Sequence, residues 1–212
     1  MKTRILGMGK AMKIGALLVT TTVALSGCVS AINEKVADNY SQVGAQAQAR
    51  GDWDTARRAY ARSANNVDLA GSSIQRRAIF HYEYGRSLGA TCFFEEAERE
   101  LNLSFELDKQ GRQPLYLSLI ELARLTLDQK KFAQSIAYFE RAFPELDQAN
   151  AAKDAPAAYA DILDEYAAAL VGAGRSDVAA RSTQRGAEIR GANPKGRSLT
   201  DRTPYGKHCT KP

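Results

Sequence analysis

Four times along the chain, apolar and small residues recur in steps of three, one and three. The sets are Tyr40, Val43, Gly44, Ala47; His81, Tyr84, Gly85, Leu88; Leu119, Leu122, Ala123, Thr126; and Leu163, Tyr166, Ala167, Leu170. Those steps return to one side of a 3.6-residue helix. A second pattern follows each set: Trp53, Ala56, Tyr60, Ser63; Phe94, Ala97, Leu101, Ser104; Phe132, Ser135, Phe139, Ala142; and Ser176, Ala179, Thr183, Gly186. Between the two lie short polar stretches such as Gly51-Asp52 and Gly174-Arg175. Each unit therefore predicts a helix, a tight turn and a second helix. The tiny residue inside each first set (Gly44, Gly85, Ala123, Ala167) lets the partner helix approach closely while larger residues interlock around it. Ala is abundant, β-branched residues are few, and Pro is almost absent between Ala31 and Gln113, so the fold class is all-α.

The small-large-small offsets resemble the tetratricopeptide repeat. The units run over 37–70, 78–111, 116–149 and 160–193, a helical-hairpin solenoid of about four repeats. The Pro of that pattern is missing from the ends of the first three units. Inserts near Gly71, Gly111 and Asn150 to Pro156 predict longer turns. The fourth unit departs most, with Ser176, Thr183 and Gly186, as a terminal capping repeat does. The resemblance implies that the first helix of each unit lines a concave groove, with Ile79, Tyr82 and Arg86 from the second, Leu117, Ile120 and Arg124 from the third, and Asp161 and Asp164 from the fourth. An apolar centre with two Arg would suit a peptide segment carrying an apolar anchor and a carboxylate. The simpler alternative is local: Glu83 and Glu121 each stand three residues before an Arg, as in solvated helix ion pairs. The carboxylate-clamp pattern of chaperone-binding relatives is not present.

The N-terminus follows a different rule. Lys2, Arg4, Lys10 and Lys13 precede an apolar run over 14–25, too short to span a bilayer and fitting a secretory signal. Leu25-Ser26-Gly27-Cys28 closes it and resembles the lipobox of bacterial lipoproteins. The resemblance implies removal of 1–27, lipidation of Cys28 and a short anchor linker over 28–36. With Val29 rather than Asp next, it implies attachment to the outer membrane facing the periplasm. The alternative is an uncleaved anchor with an unmodified Cys28.

Removing 1–27 leaves 25 basic and 24 acidic residues, a net charge of +1. Residues 181–212 carry +6 and 28–180 carry −5, so an acidic body bears a basic tail. The acidic body gives no reason to expect nucleic-acid binding, which needs a basic face. Residues 194–212 hold Pro194, Gly196, Pro204, Gly206 and Pro212 and read as disordered or irregular. Two thiols remain, Cys92 and Cys209. In an oxidising compartment they can form one disulfide tying tail to body; otherwise they are free. With two His and no phosphate loop, nucleophile elbow or metal-ligand cluster, no enzyme activity, metal, cofactor or small-molecule substrate is expected. His81 reads as core and the acidic run from Glu95 to Glu100 as a helix start. The expected function is a lipid-anchored periplasmic adaptor for protein partners in envelope assembly. A pilotin for a pilus or secretion channel and a self-associating envelope protein are the alternatives.

Overall fold

The computed structural model describes residues 12–196 and 202–209, with side chains from Val29 onward. The signal segment and the Cys28 side chain therefore lie outside the described side chains. Among the described residues all regular structure is helical, in the order α1 (Met12–Ala49), α2 (Trp53–Ala70), α3 (Ile74–Ala90), α4 (Phe94–Gln110), α5 (Tyr116–Asp128), α6 (Phe132–Gln148), a single turn α7 (Ala151–Asp154), α8 (Pro156–Gly172) and α9 (Ser176–Ala192). The helices pack in sequential pairs, α1 with α2, α3 with α4, α5 with α6 and α8 with α9. The result is a four-pair helical-hairpin solenoid. Residues 29–36, expected as a linker, are instead helical and continuous with the rest of α1. They are tied down: Ser30 donates to the Ala70 carbonyl, and Glu34 pairs with Arg76.

The tiny-large pairing is what closes each hairpin. A Cβ on Gly44 would lie 2.9 Å from the Tyr60 ring, and one on Gly85 2.8 Å from Leu101, so the large side chain of one helix packs onto the other where that helix can carry none. Ala56, Ala97, Ser135 and Ala179 are buried at equivalent places on the second helices. Ser63, Ser135 and Ser182 stay satisfied there by donating to the Ala37, Ala123 and Leu163 carbonyls of the facing helices. In the terminal helix α9, Thr183 is exposed and only Ala179, Ser182 and Gly186 are buried. Its outer face is polar, as the end of a solenoid requires.

The turns repeat as strictly as the helices. Gly51, Cys92, Lys130 and Gly174 hold φ of 75°, 72°, 60° and 77°, each just past the end of a first helix. The amide one residue on reaches back to Ala47, Leu88, Thr126 or Leu170, at 2.8–3.0 Å. This is the 6→1 bond of a Schellman cap, which satisfies a carbonyl the helix leaves open.

Candidate functional site

The basic tail lacks helix or strand over 202–209, but it is not loose. Thr203 is 1% exposed and Tyr205 3%. The segment crosses α8, α5 and α3 in turn. Arg202 grips Asp128 through both terminal nitrogens (2.7 and 2.8 Å) and Glu165 through Nε (3.0 Å). Thr203 and Tyr205 both donate to Glu121 Oε2, at 2.7 and 2.6 Å. The Tyr205 ring lies against Gly89, where a Cβ would sit 2.5 Å from it. The Gly206 and His208 amides then donate to the Gly89 and Ala90 carbonyls at the end of α3. Cys209 closes the path with a disulfide to Cys92, Cα–Cα 5.2 Å. The expectation of a disordered tail is corrected for these residues: hydroxyls, one guanidinium and a covalent bond hold a segment too short and too Pro- and Gly-rich for regular structure.

Beneath the tail lies a buried charge network. Glu121 is 2% exposed, and its other oxygen accepts from Arg124 Nη1 at 2.9 Å. Arg124 Nε bonds Glu165 at 2.8 Å. Arg86 Nε donates to Thr203 Oγ1 at 2.8 Å, while Nη1 pairs with Glu83 at 3.0 Å. The i,i+3 pairs foreseen for both Arg therefore exist but are not solvated: Arg124 is 6% exposed. Burial opposes ionisation of Glu121, yet Arg124, Arg86 and the two hydroxyl donors outweigh it and hold its pKa below the ordinary value. Glu83, with only Arg86 to favour its charge, is pushed up by burial. Burial also works against the charge of Arg86 and Arg124, but their carboxylate partners raise both above the usual Arg value.

Beside this network a cavity of about 530 Å³ opens on the face of α3, α5 and α8. Tyr82 and Arg86 of α3 and Leu117, Ile120 and Arg124 of α5 line it; Ile79 is not among its lining residues and is 52% exposed. Tyr116, Tyr159, Ile162 and Leu146 complete an apolar wall, and Gln48 and Asp154 stand at its polar margins. Sequence spacing did not bring in Glu165 or the tail. One signal was there: Tyr205 is the only Phe, Trp or Tyr after Tyr166, an aromatic ring in an otherwise polar tail. On α8 the working face is one residue off the expected register. Asp161 and Asp164, read as groove residues, instead pair with Arg190 of α9 at 2.8 and 2.7 Å. Among the described residues no group of three His, Cys, Asp or Glu could hold a metal ion, and no helix is long and apolar enough to cross a membrane.

No family model and no curated protein matches the chain. Solved structures do. The crystal structure of BtubC (BKLC) from P. vanneervenii superposes with a TM-score of 0.70 at 17% identity, over 78% of this chain and 67% of that one. The MamA protein gives a TM-score of 0.46 at 14% identity, over 79% of this chain and 99% of that one. At 17% identity the likeness to BtubC concerns the fold alone, a tetratricopeptide-like helical repeat.

Proposed function

We propose that the chain is a non-enzymatic adaptor, anchored by lipid on Cys28 to the periplasmic face of the bacterial outer membrane, which docks protein partners in the concave face. The observation that carries the docking role is the 530 Å³ cavity, walled by aromatic and aliphatic side chains and flanked by ordered polar groups. Such a site takes a bulky apolar group and fixes its orientation by the polar rim. The lipobox-like Leu25-Ser26-Gly27-Cys28 supports the anchoring. One chain holds a protein only marginally at a bilayer, and several hold it firmly.

A photo-crosslinking residue at Leu117 in living cells tests the docking role. Discrete crosslinked species should form and should vanish when Ala158→Trp fills the cavity; species indifferent to that change would sink the reading. For the anchor, the mass of the N-terminal peptide should show acylation at Cys28, and Cys28→Ala should move the protein from the membrane to the soluble fraction.

A further inference from the structure

Resting on that docking role, we infer that the partner segment sets a carboxylate beside its apolar anchor, and that the chain's own clasped tail is what leaves two guanidiniums free to read it. Each of the two Arg divides its nitrogens between the buried network and the cavity. Arg124 gives Nε to Glu165 and Nη1 to Glu121; Arg86 gives Nε to Thr203 and Nη1 to Glu83. Nη2 of each has no hydrogen-bond partner among the described residues and is not sealed off, and both residues line the cavity. Arg124 is only 6% exposed, so its two open N–H groups are fixed donors in an apolar wall. A carboxylate arriving there breaks no existing bond, and a guanidinium already held in place loses little freedom on binding it.

The tail makes this division possible. Glu121 Oε2 accepts from Thr203 and Tyr205, and Glu165 Oε1 accepts from Arg202. Without those donors each carboxylate would hold a bare oxygen close to a guanidinium: Glu121 Oε2 lies 3.8 Å from Arg86 Nε, and Glu165 is already bonded to Arg124. Both Arg would then be drawn further into the network, because an unsatisfied buried acceptor is costly. With the tail clasped by Cys92–Cys209, the guanidiniums of Arg86, Arg124 and Arg202 stand against Glu121, Glu165 and Asp128, and burial disfavours the charge of the fourth carboxyl, Glu83. An anion at Nη2 thus meets a balanced network. Asp154, the other acidic residue on the lining, is exposed and screened by water. Leu117, Ile120, Tyr159 and Ile162 seat the apolar side chain. Thr203 and Tyr205 do not line the cavity; they are positioning residues that act through Glu121.

Selection of a random dodecapeptide library on the full-length protein in detergent, disulfide intact, tests this. Peptides whose capture is lost with Ala158→Trp should carry Asp or Glu within a few positions of Phe, Tyr, Leu or Ile. Changing that acid to its amide in the peptide should weaken binding to the unaltered protein about tenfold. Arg86→Lys and Arg124→Lys, which keep a charge for the network but have no Nη2, should shrink the acid-to-amide ratio of affinities. Thr203→Val combined with Tyr205→Phe should shrink it too. A ratio, unlike an affinity, is unmoved by a partly unfolded variant. Acid and amide peptides that bind alike, or a ratio indifferent to both Arg changes, would overturn the carboxylate inference and leave the docking role standing. A ratio that survives the Thr203 and Tyr205 changes would overturn the tail's part in it. A library yielding no peptide sensitive to Ala158→Trp would overturn the docking role and this inference together.

Discussion

Gly51, Cys92, Lys130 and Gly174 perform the same backbone task with unequal aptitude. A left-handed φ is nearly free for Gly and costs other residues about 1 kcal/mol or more. Lys130, at φ 60°, makes no side-chain hydrogen bond or ion pair among the described residues that would offset that cost. Lys130→Gly should therefore stabilise the protein by up to about 1 kcal/mol, read as a higher urea midpoint with an unchanged slope. An unchanged midpoint would mean that the strain is relieved elsewhere. Cys92 occupies the same kind of position at φ 72°, and its compensation is visible: the αL turn holds it where Cys209 can reach it. At this scale the sequence is legible where a residue's role is local. Gly44 and Gly85 announce a close approach and the structure puts Tyr60 and Leu101 there. Glu121 shows only half its role, because its bond to Arg124 is three residues away and its bonds to Thr203 and Tyr205 are more than eighty.

Among the elements, α3 packs against α2, α4 and α5, and His81 is the residue that fastens it. The ring is 5% exposed, with Nδ1 2.6 Å from Glu100 of α4 and Nε2 3.2 Å from Asp68 of α2. One imidazole thus bridges three helices and two repeats. Burial works against its charge, but Glu100 and Asp68 prevail and raise its pKa above 6.5. A His with a raised folded pKa contributes its full stabilisation below the unfolded value and loses it as pH climbs through the folded one. The stability lost in His81→Gln should accordingly be larger at pH 5 than at pH 8, measured by denaturant unfolding at both. An equal loss at the two pH values would leave His81 as packing alone. Reading His81 as core was sound as far as periodicity reaches, since its burial follows from its place in the helix. The carboxylates beside it come from neighbouring helices, and no spacing within α3 encodes them. The same limit explains α8, where a one-residue change of register moved Ile162 and Glu165 onto the working face and turned Asp161 and Asp164 towards Arg190.

Across the whole molecule, helical pairing follows from repeated local pattern and is written plainly in the sequence, whereas the tail is held by contacts with no period at all. The disulfide joins residues 117 apart. Its loss through Cys209→Ser should cost about 2–5 kcal/mol in urea unfolding. Wild type and variant should coincide once reductant is added; a difference surviving reduction would assign the effect to the serine rather than the bond. The bond also alters the connectivity of the solenoid. In a linear array each repeat is coupled only to its neighbours, and melting can creep inwards from either end. Here the chain's last described residues return to α3, so the second, third and fourth helix pairs form a closed circuit, and the first pair alone extends beyond it. Cooperativity in such a circuit is shared, because the fourth pair, although its α9 ends the stack, is tied back to the second through the tail. Amide exchange should therefore be fastest in α1 and α2 and nearly uniform from α3 to α9, the pattern of a clasp rather than of a fraying rod.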